Sequence, residues 1–282
     1  MLLSLSRVII PGLEGLLEGK LVGDWFGQRP LTVEGITMET VCGGAMGSSR
    51  PDARIDGCVA AQARLAALID RLSEDDVQRP SLLEGWTVGH VLTHLARNAD
   101  SHTGMVQAAQ RGEMVPQYAG GPEERDRGIE AGWSRPAAAI ADDVRAAHGR
   151  LEAAWASTDA ETWATGCGLR RQGPTALADL VFYRWREVEI HLVDLGLVDR
   201  GGPTWEHLSD GYVDLEWNTT INALSSRMLP SITLLLVPGD RSSRAIGSGP
   251  ERRIVRATTR QLLRWLVGRG GEPGWPVLGP WF

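Results

Sequence analysis

Between Ile55 and Leu195 the apolar residues recur every three or four positions, a spacing that only a helix turns into one continuous face. Val59, Leu65, Leu68 and Ile69 form the first such stripe, ending near Leu72. Val88, Val91, Leu92, Leu95 and Ala99 form the second, with Thr87 placed to cap its start. The glycine-bearing stretch around Tyr118, Gly120 and Pro122 breaks the pattern. An Ala-rich third helix is expected from about Glu123 to Trp155, with a break at Pro136. A fourth, from about Thr175 to Leu195, turns Leu177, Val181, Trp185, Val188, Leu192 and Leu195 inward and stops at Gly196. Four helices joined by loops predict a bundle over residues 53–200.

The flanks read differently. Residues 1–52 are Gly-rich, carry Pro11, Pro30 and Pro51, and show no sustained period, so they read as an N-terminal extension, poorly structured or partly misannotated. Met38 and Met46 are alternative starts within it. The first residues, MLLSLSRVIIPGLEGLL, are interrupted by Arg7 and Pro11 and do not read as a signal peptide. After Gly201 the texture changes again. HLSDGYVDLEWNTTINALSSR reads as helix, SITLLLV and RRIVRA as strands, and TTRQLLRWLVGR as a closing helix. The fold class expected is mainly α: a four-helix bundle followed by a small α+β domain over residues 201–282.

Composition bounds the function. A net charge of -6 offers no basic face for nucleic acid. No apolar run approaches the roughly 20 residues that span a bilayer. Cys42, Cys58 and Cys167 are odd in number and far apart, which indicates neither a thiolate metal site nor a disulfide framework and suits a reducing cytoplasm. Lys20 is the sole lysine, a bias expected of a GC-rich bacterial, actinobacterial genome. No GxSxG, P-loop or GxGxxG-plus-acid unit is present, so serine-hydrolase and nucleotide readings lack support.

Helical phase singles out a group of polar residues. His94 and Asn98 sit at the margin of the second stripe, and His90 precedes His94 by one turn. Glu187 and His191, four residues apart, stack on one face of the fourth helix, which also carries Arg184 and Asp194. Burying a carboxylate and imidazoles is costly unless something compensates, and a divalent cation would. The E-x-x-x-H spacing arises often by chance, and on spacing alone a structural or surface role is the commoner outcome. His90 reads as a hydrogen-bonded core histidine or a fourth ligand. His102, two turns beyond His94, is about 12 Å along the axis and out of reach of one shared ion. His148 and His207 have no partner pattern and are expected on the surface. Trp86 is expected to pack the start of its helix, and the acidic run from Glu74 to Asp76 to be a solvated loop.

Two segments carry a family resemblance. SLLEGWTVGHVLTHLARNAD (Ser81 to Asp100) and WREVEIHLVDLG (Trp185 to Gly196) resemble the signature segments of the mycothiol-dependent maleylpyruvate isomerase family, over roughly residues 53–282. The resemblance implies a DinB-like metal-binding bundle with a small C-terminal α/β domain. It implies zinc, or another divalent metal, on His94, Glu187 and His191, and a functional arginine at Arg269 in the G-R-G segment, suited to holding a substrate carboxylate. It implies mycothiol as thiol cosubstrate and a small electrophilic substrate, with cis–trans isomerisation of maleylpyruvate as the reaction. Mycothiol S-transfer to another electrophile, or a non-catalytic metal-binding role, are the alternatives.

Overall fold

A computed structural model describes residues 49–281; the reading of residues 1–48 lies outside the described residues. The first helix, α1 (Asp52–Ile69), leads through a short α2 (Glu74–Gln78) to α3 (Val88–Gln110). Then come α4 (Gly121–Glu130), α5 (Ala137–Ser157), a short α6 (Ala160–Thr165), a hairpin of β1 (Cys167–Arg170) and β2 (Gly173–Ala176), and α7 (Leu177–Asp194). Helices α1, α3, α5 and α7 make the bundle: α3 packs on α5 and α7, and α1 packs on the same two. Their stripes meet in a core that includes Leu65, Leu92, Leu95, Val144, Leu151, Val181 and Val188, all buried. Burial of each such side chain contributes about 1.5–3 kcal/mol. Gly57 of α1 lies directly against the Trp185 ring of α7, where any side chain would collide. That close approach draws α1 and α7 together.

One local reading is borne out and another changes. The expected third helix is two helices, α4 and α5, separated around Pro136, whose ring and missing N–H exclude it from a helix interior. The acidic run is also helical. Ser73 caps α2 in a reciprocal capping box with Asp76, and Asp76 is buried, accepting from Ser73 N at 3.0 Å and from Arg200 Nε at 2.9 Å. The Ser73 amide bond, with Arg200 behind it, holds that carboxyl well below the usual range despite burial. Glu74 accepts from the free N–H of Ala137 at 2.9 Å and so caps α5 from across the bundle. Cys58 is a free buried thiol, whereas Cys167 is disulfide-bonded, which the count and spacing of cysteines did not indicate.

The C-terminal part holds α8 (Asp210–Leu224), β3 (Ile232–Pro238), β4 (Arg244–Ile246), β5 (Glu251–Ala257) and α9 (Thr259–Leu266). The sheet order is β4-β3-β5, with β3 antiparallel to β4 and parallel to β5. Leu234 and Leu236 of β3 and Val255 of β5 turn inward, with β3 packed on α9 and α9 in turn on α8. Helix α8 docks on α7 through a buried ion pair: Arg186 gives Nε to Glu216 Oε2 at 2.7 Å and Nη2 to Oε1 at 2.8 Å. Tyr212 and Thr220 donate to the same carboxylate. Among the described residues no helix is long and apolar enough to cross a membrane.

Candidate metal centre

The site begins with the start of α3. Thr87 accepts from His90 N, while His90 Nδ1 accepts from Thr87 N at 3.1 Å. His90 is therefore part of the helix cap, and its ring stacks on Trp133 with centroids 4.3 Å apart. It is not among the residues that converge. One turn further on, His94 faces α7, its ring 5.7 Å from Trp86, so Trp86 packs both histidines at the helix start.

His94, Glu187 and His191 come together. Each offers one ligand atom, and these atoms lie within 4.8 Å of one another. His94 Nε2 is 2.9 Å from Glu187 Oε2, and His191 Nε2 is 3.3 Å from the same oxygen. The two imidazole rings meet edge to face at 4.9 Å. The cluster is not sealed: the Glu187 side chain is 31% exposed, against 5% for His94. Two nitrogens and a carboxylate with an opening on one side are the donor set of a catalytic divalent cation.

The electrostatics treat the three members differently. Burial pushes His94 down to about 4, so at neutral pH it presents a lone pair. Burial acts the same way on His191, but its hydrogen bonds to Asp194 and Glu187 outweigh it and lift that ring to about 8, so a cation bound there would have to displace its proton. Burial would raise Glu187, yet its bonds to His191 and His94 hold it well below the usual carboxylate range. Behind His191, Nδ1 lies 2.9 Å from Asp194 Oδ2, the carboxylate partner that fixes the tautomer of a metal-ligating histidine.

Arg269 reaches this cluster through Asp194. Its Nε donates to Asp194 Oδ1 at 3.0 Å and its Nη2 to Oδ2 at 2.9 Å. The planar fork that the sequence suited to a substrate carboxylate is thus closed on a carboxylate of the chain itself. Asp194, noted on the same helical face, proves to be the link between Arg269 and His191. His102 and His148 are both buried and outside the cluster, each pushed down to about 3 chiefly by burial and by the nearby Arg184. His148 had been expected on the surface; it follows Val144 by four residues on the inward face of α5. His207 is exposed as expected. Arg184 is wholly buried and ties α7 to α3, giving Nη1 to Leu95 O at 3.0 Å and to Asn98 Oδ1 at 2.7 Å. It stands one turn below Glu187 and joins the two helices that carry the cluster.

Residues 58–196, which hold all three converging side chains, match the model of the mycothiol maleylpyruvate isomerase N-terminal domain. The bundle thus carries the N-terminal domain of that family, which spans just under half of the chain. Two solved structures share the fold: the mycothiol-dependent maleylpyruvate isomerase, with 23% identity over 79% of this chain and 90% of the other, and a histidine-to-alanine mutant of it, with 23% identity over 78% and 90%. Both give a TM-score of 0.70. A comparison with curated proteins finds no match. The family domain coincides with the bundle, and the likeness of fold continues into the C-terminal α+β part.

Proposed function

We propose that this chain is a zinc-dependent, mycothiol-using enzyme of the cytoplasm that activates a thiol for addition to an electrophile. The substrate we assign is maleylpyruvate, isomerised to fumarylpyruvate. The observation that carries the reading is the three-donor cluster His94–Glu187–His191, open on one side, within the domain that defines the family.

A free thiol with a pKa near 8.5 is mostly protonated at neutral pH. Zinc held by His94, Glu187 and His191 would lower that pKa and seat the sulfur at the open side. Each ligand residue is prepared for its part. His94 is kept neutral by burial, Glu187 is kept ionised by its two histidine neighbours, and His191 is oriented by Asp194. In this reading Arg269 is a positioning residue: it holds Asp194, and through it the His191 ring. Among the described residues the free thiol is out of play, since burial pushes Cys58 up to about 12, and in this reading the reactive sulfur comes from a small molecule. Addition of that thiol to the cis double bond leaves a single bond free to rotate, and elimination restores the double bond in the trans form with the thiol regenerated.

The test is turnover of maleylpyruvate by the zinc-loaded chain with and without mycothiol. A rate that requires the thiol is expected. Equal rates with and without it, or none at all, contradict the proposal.

A further inference from the structure

We propose that Tyr118 and Arg125, on the segment between α3 and α5, form a carboxylate subsite beside the metal centre. The inference rests on the thiol-addition reading only in taking the ligand to be the anionic end of its substrate.

The segment is pinned where it matters. Gln117 N donates to Leu169 O at 2.9 Å and Leu169 N donates to Val115 O at 3.0 Å, so the chain before Tyr118 runs along β1. The Gln117 side chain reaches Ser101 of α3 at 3.4 Å. Tyr118 follows, and its phenol lies beside Asn98 and Ser101, within the field of Glu187. The hydroxyl is shielded from solvent and makes no well-formed hydrogen bond among the described residues, its approaches to Ser101 and Asn98 being weak ones. Its neighbours are already engaged: Asn98 Oδ1 accepts from Arg184, and Ser101 Oγ donates to Asn98 O at 2.8 Å. A buried hydroxyl left poorly paired is costly, so such groups mark places that a ligand or water completes. Burial and the Glu187 charge both raise its pKa, which keeps it a neutral donor at pH 7.

Arg125 supplies the charge. Its guanidinium stands 5.8 Å from the centroid of the Trp86 ring, the ring that packs on His94. It acts electrostatically on both His94 and Tyr118. Its ion partner is the adjacent Asp126, 61% exposed, a loose surface pair that a ligand displaces at little cost. Three other arginines near the centre are engaged, Arg269 with Asp194, Arg184 with the α3 carbonyl and Asn98, and Arg170 over the Tyr183 ring. A carboxylate has two oxygens, one for a guanidinium and one for a phenol. Tyr118, on the loop after α3, and Arg125, on α4, offer that combination.

Binding of maleate to the zinc-loaded full chain, followed by calorimetry, tests the subsite without catalysis. Arg125→Met is expected to weaken binding at least tenfold, and Tyr118→Phe about threefold or more. Arg127→Met, exposed on the same helix, is expected to stay within about twofold, and zinc per chain is expected to be unchanged throughout. Wild-type affinity in both Arg125→Met and Tyr118→Phe overturns the inference. So does an Arg127→Met effect equal to that of Arg125→Met, or no maleate binding by the wild type. A chain that binds maleate in the expected pattern but shows no thiol-dependent turnover keeps the subsite and loses the isomerase reading. Turnover without that pattern does the reverse.

Discussion

Helix α7 carries two carboxylate clusters one residue apart, and they are built to opposite ends. Arg186 points to α8 and closes a bidentate pair with Glu216, whose oxygens also accept from Tyr212 and Thr220; both side chains of the pair are at most 4% exposed. Glu187 points to α3, meets two histidines through one oxygen and stays 31% exposed. The first cluster satisfies itself. The second gathers donors from α3 and α7 and leaves a side open. Buried ionic groups whose bonding is complete hold structure, whereas those that converge without completing one another mark a place for a ligand.

The widest separation between the two comes from breaking the closed pair. Glu216→Ala is expected to destabilise the fold by about 3–5 kcal/mol, because Arg186 would be left buried without its counter-charge. Urea unfolding measures it, and a loss below about 1 kcal/mol would remove the distinction. A smaller effect of a different kind is expected behind the open cluster. Asp194→Asn should lower metal affinity about 10–100-fold through His191, read by competition with a chelator. Arg269→Met should act in the same direction and by less. An unchanged affinity in Asp194→Asn would show that the carboxylate does not orient the ligand.

The smallest effect is a pH dependence from histidines that belong to neither cluster. His102 and His148 are held near 3 in the folded chain, against about 6.5 unfolded. Between those values the unfolded state binds more protons, so their contribution is intact above pH 6.5 and is lost as pH falls toward 3. From pH 7 to pH 6 each is expected to cost roughly 0.5–1 kcal/mol. Replacing His148 by Gln should flatten this slope in urea midpoints; an unaltered slope would mean that the ring is not buried neutral.

The sequence carries the three cluster residues more clearly than their support. Helical phase puts Glu187 and His191 on one margin of α7 and His94 on a margin of α3, because period and face are local properties. What holds them is not local. Asp194 and Arg269 are 75 residues apart, and only the docking of the C-terminal part on the bundle joins them. Tyr118 sits on an irregular segment with no period to interpret. Two other misreadings had a local signal. Val144, His148, Leu151 and Trp155 share a helical face, which places His148 inside. Ser73 with an acidic residue three positions on is the pattern of a capping box and marks the start of α2. The break between α4 and α5 was announced by Pro136, but the helix ends several residues before it, where Gly132 and Trp133 make the turn.

The central claim is that the open cluster on α7 and α3 is a metal site. Elemental analysis of the purified chain and of His94→Ala tests it directly. The account predicts one zinc per wild-type chain and its loss in His94→Ala, with the fold retained by circular dichroism; full zinc retention in His94→Ala would contradict it.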